Sequence, residues 1–186
     1  MRKLAANTGF TLIELMVTLI VVAIVVAIAA PGFGQMIQEN RAATQANNVL
    51  ASIQLARSEA INRNLQVTMR RVSNTNRVWE QGWQIFTDWN TDAVFDGAED
   101  DKDCSVEGQD CMLFVQEALP TDITLRTGGN YAVALVFLPS GEIRRAGGAI
   151  GNDTFTLCIP QANSREIIVG SGGRARVAEG NTPCVP

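Results

Sequence analysis

The residues best suited to chemistry sit late in the chain, in the run Gly170-Ser171-Gly172-Gly173-Arg174-Ala175-Arg176-Val177. It reads as a Gly-rich turn opening a strand. Alternate side chains of a strand share a face, so Arg174 and Arg176 point the same way, about 6.7 Å apart along the chain. A guanidinium fork meets phosphate oxygens two at a time, which the point charge of a lysine does not. The pair therefore suits two neighbouring phosphates of a nucleic-acid backbone. The glycines let the backbone approach a ligand closely and offer N–H groups. Arg144, Arg145 and Arg165 extend the patch if their strands lie beside it. Without further context, two arginines on a strand are usually just a solvated face.

Two other groups of residues have chemical potential. Asp88, Asn90, Asp92, Asp96 and Glu99 fall at positions 1, 3, 5, 9 and 12 of a calcium-loop template. The sixth position, which should be Gly for the sharp turn, is Ala93. A strand enters this stretch and no flanking helix pair is expected, so a solvated acidic loop is the favoured reading and a weak calcium site the alternative. The four cysteines, Cys104, Cys111, Cys158 and Cys184, form an even set. With an export signal they indicate disulfides made in an oxidising compartment. Three pairings are possible. Proximity and loop closure favour Cys104–Cys111 with Cys158–Cys184.

The chain contains no histidine, which excludes imidazole bases, Ser-His-Asp and Cys-His systems and His-ligated zinc. No nucleophile–base pair or phosphate-cradling loop stands out. The sequence is read as that of a non-enzyme with no cofactor. The net charge of −4 is unevenly spread. Residues 41–79 carry six Arg and one Glu, residues 80–122 carry twelve acids and one Lys, and residues 123–186 carry six Arg and four acids. The acidity is confined to one middle block, so the last third is free to be locally positive.

The elements that position these groups begin at the N-terminus. Arg2 and Lys3 precede an apolar run from Phe10 to Ala30 that contains one charge, Glu14. As a helix this run is about 31 Å long, enough to cross a hydrocarbon core of about 30 Å. A secretory signal peptide is the competing reading, with Ala27-Ile28-Ala29 as its cleavage site. Against it stand the carboxylate inside the run, which costs about 2.5 to 3.5 kcal/mol on insertion scales, and the helical pattern that continues past the cut. Beyond Pro31, Gly32 and Gly34, apolar positions recur at Ala46, Val49, Leu50, Ile53, Ala56 and Ala60. The spacing predicts one helix from Phe10 to about Arg63, apolar all round in its first half and amphipathic in its second, with a kink or melted stretch at Pro31.

Gly9-Phe10-Thr11-Leu12-Ile13-Glu14 resembles the class III signal of type IV pilins and type II secretion pseudopilins, and the likeness extends over Thr8 to Phe33. The resemblance implies that a prepilin peptidase cuts between Gly9 and Phe10, that Phe10 is N-methylated and that the apolar half-helix packs into a filament core. Glu14 is similar to the family's assembly residue. A carboxylate in so apolar a setting needs a cation, and the Phe10 amine of a neighbouring subunit can supply one. This pairing sets the stagger between subunits. The implied organisation is a leader over 1–9, a transmembrane or filament-core half-helix over 10–36, an amphipathic half-helix over 37–63 and a β-rich head over 64–186.

After the helix, short alternating runs predict strands at Leu65–Val72, Trp83–Thr87, Met112–Gln116, Ile123–Thr127, Ala132–Phe137, Phe155–Ile159, Glu166–Val169 and Arg174–Val177. The fold class is α+β, a long helix followed by an antiparallel head. Gly82-Trp83-Gln84-Ile85-Phe86-Thr87-Asp88, followed by Asn90 and Asp92, resembles the GspH/FimT group of minor pilins and pseudopilins. This implies a lollipop whose head is two sheets packed on the second half of the helix. Gly173-Arg174-Ala175-Arg176 is similar to the Gly-Arg-x-Arg motif of FimT-type minor pilins, which bind DNA in natural transformation. On that resemblance Arg174 and Arg176 contact phosphates and Gly173 shapes the turn. The implied partners are other pilins, prepilin peptidase, the inner membrane before assembly and DNA. The implied location is the inner membrane with a periplasmic head, then the pilus. The alternative is a structural minor pilin or secretion pseudopilin that primes assembly without DNA, its Arg pair meeting an acidic patch on a neighbour. The acidic block would repel DNA unless it lies on the far side of the head.

Overall fold

A single helix, α1 (Leu12–Arg63), leads into nine strands: β1 (Val67–Arg71), β2 (Trp83–Thr87), β3 (Met112–Gln116), β4 (Thr124–Thr127), β5 (Ala134–Phe137), β6 (Ile143–Arg145), β7 (Asp153–Cys158), β8 (Asn163–Val169) and β9 (Ala175–Pro183). The computed structural model describes residues 10–97, 104 and 107–184, except for the side chains of 29–32 and 181–183. The chain divides into two units, Met1–Ile37 and Gln38–Pro186.

In the first unit the helix starts on Thr11. The Glu14 N–H donates to Thr11 Oγ1 at 3.3 Å, closing the first turn of the helix. Thr11 and Glu14 have the spacing of a capping box, and the carboxylate sits where the helix dipole favours negative charge. The apolar side chains from Phe10 to Ile28 are exposed, as are Phe33, Met36 and Ile37. No single described helix is long and apolar enough to cross a membrane, whereas Leu12–Ile28 with Phe33–Arg63 qualifies as a broken span by length and composition. The backbone of α1 continues as helix through 29–32, so the melted stretch expected at Pro31 is absent there.

In the second unit two antiparallel sheets enclose the amphipathic half of α1. The first has strand order β3-β2-β1-β5-β6 and the second β4-β7-β8-β9. Ala42, Ala46, Val49, Ile53, Ala56 and Ala60 form a fully buried stripe on the helix. The four alanines allow the backbone to approach the sheets closely, while Val49 and Ile53 supply bulk worth about 1.5 to 3 kcal/mol each. The stripe shares one core with Val67, Met69, Ile85, Leu135 and Phe137 of the first sheet and Leu125, Phe155, Leu157, Ile167 and Val169 of the second. Trp79 joins the layers. Its ring meets Phe155 edge-on at 5.1 Å, and its Nε1–H donates to the Tyr131 carbonyl at 3.1 Å. Polar ties fasten the helix at its flanks: Arg41 to Asp122 at 2.9 Å and Arg165 to Glu39 at 2.8 Å.

Strands β2 and β3 coincide with the predicted runs, and β9 extends six residues past the predicted Val177. The sequence reading had no strand at β6. That strand has three residues, two of them Arg, and its conformation comes from pairing with β5 in the register Leu135↔Arg145, Val136↔Arg144, Phe137↔Ile143. Disulfides join Cys104 to Cys111, with Cα atoms 5.1 Å apart, and Cys158 to Cys184, at 5.3 Å. The separations are 7 and 26 residues, for which loop-closure entropy gives about 2.5 and about 3.5 kcal/mol. Paired Cys→Ser substitutions are expected to show that order in urea midpoints, with loss of Cys158–Cys184 the more damaging.

Candidate nucleic-acid interface

The β8–β9 connection is a tight turn built on glycine. The Gly170 N–H donates to the Arg174 carbonyl at 2.9 Å, and the Gly173 N–H donates to the Gly170 carbonyl at 3.0 Å. Gly173 has φ +79°, in the left-handed region that glycine occupies at little cost. It is also hemmed in: a Cβ there would lie 1.9 Å from the Gly141 carbonyl oxygen and 2.7 Å from Arg57 Nε. A backbone bond from the Ile143 N–H to the Ser171 carbonyl, 2.9 Å, fastens the turn to β6. The turn is thus held by the β5–β6 hairpin and the helix.

Arg174 and Arg176 leave this turn on one face, both exposed. Ala175 and Val177, between and after them, pack against the core on the other face. Arg176 lies opposite Ile168 on β8, so no charge faces it directly across the ladder. Among the described residues neither arginine has an ion-pair partner.

The other predicted members are placed differently. Arg145 is exposed on β6, the strand joined to the turn. Arg144 is half-buried with its Nε lacking a hydrogen-bond partner, and by register it shares the face of Val136 rather than that of Arg145. Arg165 does not belong to the patch. It stands opposite Glu179 on the inner-facing row of β8 and is neutralised by Glu39 at 2.8 Å and Glu179 at 3.5 Å. Its charge fastens helix to sheet and is not available to a ligand.

The sequence reading missed Arg57. Its Nε–H donates to the Gly141 carbonyl at 3.2 Å, and with Gln54, Ser58, Ile61, Gly173, Arg174 and Ala175 it lines a groove of about 340 Å³. The available signal was the Arg surplus in residues 41–79, which by itself does not say which face of the helix matters.

The acidic loop is an organised structure over a different face. Ala93 packs with Ala134 and Val136 of β5 in a small cluster separate from the main core, so the described part of the loop covers the outer face of the first sheet. Asp88 is buried, and its carboxylate accepts from Gln66 Nε2 at 2.9 Å, Thr68 Oγ1 at 2.7 Å, Asp92 N at 3.1 Å and Ala93 N at 3.0 Å. The carboxylate that would open a calcium template is therefore consumed in folding the loop. Asn90 donates to Asp92 and Asp96, and Glu99 lies outside the described residues. Among the described residues no three His, Cys, Asp or Glu side chains are grouped to hold a metal ion.

Asp110 closes the loop from the other side, accepting from the Trp89 N–H at 2.9 Å and the Asp96 N–H at 3.3 Å. Burial pushes its carboxyl up to about 6, opposed by those two bonds and reinforced by Asp96. The folded value lies above the unfolded one of about 3.9, so the native state binds the extra proton between them. The stability this group contributes is full below about pH 4 and is lost as pH rises through about 6. Asp122 acts in the opposite sense, because Arg41 lowers its carboxyl. Asp110→Asn is expected to remove the part of the melting-temperature decline between pH 4 and 7 that Asp110 causes, read as the difference between the two pH profiles.

At the other end of the chain Phe10 is 80% exposed and Glu14 occupies the first helical turn. Gly9 lies outside the described residues. A family model for the prokaryotic N-terminal methylation motif matches residues 4–30. A second model, type II transport protein GspH, matches residues 45–173, more than half of the chain. The chain belongs to the GspH family. The family is that of minor pilins and pseudopilins, and the helix followed by a two-sheet antiparallel head is its fold. Two solved structures share it with this GspH-family chain. One is the type IV minor pilin FimU of Pseudomonas aeruginosa, at 16% identity, TM-score 0.56, covering 77% of this chain and 95% of that one. The other is the minor pseudopilin EpsH of the Vibrio cholerae type 2 secretion system, at 17% identity, TM-score 0.50, covering 76% and 98%. No curated protein matches the sequence.

Proposed function

We propose that this GspH-family chain is a non-enzymatic minor type IV pilin that binds extracellular DNA through Arg174 and Arg176 for uptake in natural transformation. The observation that carries the reading is the pair itself: two exposed guanidinium groups on one face, without acidic partners among the described residues, at a glycine turn bonded to β6 and packed against the helix. The described acidic loop covers the outer face of the other sheet. Arg145 adds positive charge on the adjoining strand. Contacts to backbone phosphates carry no base information, so binding has little sequence preference. One head holds few phosphates and binds weakly, and several heads on one filament gain by avidity.

The methylation motif supports the rest of the reading. Prepilin peptidase cleaves between Gly9 and Phe10 and Phe10 is methylated. The apolar half-helix anchors the chain in the inner membrane and then packs among other pilins, with Glu14 paired to a neighbour's Phe10 amine. Retraction of the filament draws the bound DNA toward the cell.

The test is a titration of the full chain, in neutral detergent, against short labelled duplexes of several sequences at increasing salt. Each phosphate engaged contributes about 0.7 to 0.9 to the slope of log affinity against log salt. Similar affinities across sequences with a slope of two or more contacts support the reading. No binding at low salt leaves a structural pilin whose Arg pair meets other subunits.

A further inference from the structure

We infer that Arg57, on the helix, is a third phosphate-binding group of this interface, reaching the same phosphodiester chain as Arg174 from the opposite wall of the groove between α1 and the β8–β9 turn. The inference rests on the DNA-binding reading above and adds to it a residue from a separate element.

Three observations carry it. The first is orientation. Arg57 spends its Nε–H on the Gly141 carbonyl, at 3.2 Å. Among the described residues neither of its terminal nitrogens has a hydrogen-bond or ion-pair partner. A guanidinium held at one edge presents its remaining donors as a fixed fork, the geometry that phosphate oxygens accept. The second is contrast. Arg41 and Arg63, on the same half-helix, are each paired with a carboxylate, Asp122 and Glu59. Arg57 is committed to a neutral carbonyl, so among the described residues no carboxylate pairs with its charge. The third is the wall it shares. Gln54, Arg57, Ser58 and Ile61 have the one-face spacing of a helix. Together they line one side of the groove of about 340 Å³ whose other side is Gly173, Arg174 and Ala175. Gln54 adds an exposed amide, and Ile61, 46% exposed, adds an apolar surface for a sugar or base.

The arrangement also explains the glycine beside the arginines. With no side chain at Gly173, the turn sits directly against Arg57 and the carbonyl that orients it. Arg174 and Arg57 then border one groove from two elements. A nucleic-acid strand laid along it meets guanidinium groups on both sides.

The experiment compares the full chain in neutral detergent with Arg57→Gln, Arg57→Lys and the double variant Arg174→Gln/Arg176→Gln, each titrated with a labelled duplex over a range of salt. Thermal unfolding of each variant is followed in parallel. Arg57→Gln is expected to weaken binding about tenfold at low salt and to lower the salt slope by about 0.7 to 0.9, the value of one phosphate contact. Arg57→Lys, which keeps the charge, is expected to restore most of the slope. If the double variant loses binding while Arg57→Gln keeps the wild-type slope, Arg57 is no phosphate contact and the inference falls alone. Equal loss in the Gln and Lys variants also overturns it, because Arg57 then only seats the turn. If the unmodified chain does not bind DNA at all, the DNA-binding reading fails and takes this one with it.

Discussion

Replacing both Arg174 and Arg176 with Gln is expected to abolish retardation of DNA in a gel and to lower the salt slope of binding by about 1.4 to 1.8, two phosphate contacts' worth. Both side chains are exposed and neither has an ion-pair partner among the described residues. The substitutions should therefore change stability by no more than about 0.5 kcal/mol each. Glutamine keeps most of the stem and can still donate, so what is removed is the charge. A retained slope would falsify the assignment of these two residues. The single variants separate their shares. Arg174 borders the groove beside Arg57, whereas Arg176 stands one strand repeat along, opposite the apolar Ile168.

The second large effect is expected from the smallest change, Gly173→Ala. A non-glycine residue at φ +79° carries a backbone penalty of about 1 to 2 kcal/mol. The new methyl also falls 1.9 Å from a backbone oxygen, that of Gly141, which cannot rotate away as a side chain does. Together these make a loss of about 3 kcal/mol reasonable, equivalent to a melting temperature lower by roughly 6 to 12 °C in a domain of this size. DNA affinity should fall as well, although every arginine remains, because the turn lifts off β6 and Arg57. Gly172→Ala is the internal control. A Cβ at Gly172 meets nothing within 4 Å, and its backbone is not in the left-handed region. It should leave both stability and binding nearly unchanged. Equal effects at the two positions would show that loss of chain flexibility, not seating of the turn, is what matters.

Much of the architecture was legible in the sequence because it is written in periodicity and local chemistry. The buried helix stripe follows from apolar residues at helical spacing, and β2 and β3 are alternating runs bounded by turn residues. The expected cystine pairs are the ones the structure contains, since each closes a loop that neighbouring elements bring together. What escaped depends on tertiary neighbours. Strand β6 is too short and too charged to announce itself, and its extended backbone is imposed by β5 and by the Ser171 carbonyl. Arg165 looked like a patch residue because a lone arginine on a strand does not reveal that a helix carboxylate, Glu39, is 126 residues away in sequence and 2.8 Å away in space. Asp88 fitted a calcium template by spacing alone. Its partners Gln66 and Thr68, from the start of the head, show that it closes a loop instead. Arg57 was invisible for the same reason, since nothing in the helix marks the one arginine that meets a glycine turn.

The way β9 is secured has a mechanical consequence. As the outermost strand of its sheet it is the one that tension could most easily peel away. Yet the residue following it, Cys184, is bonded to Cys158 at the end of β7, bypassing β8. Its opposite end is bonded to β6 through the Ser171 carbonyl, and Gly173 packs closely against Gly141 and Arg57. Tension applied at Arg174 therefore meets an anchor at each end of the strand. Load applied at the turn is shared with β6 through the Ser171 bond before it reaches the rungs between β8 and β9.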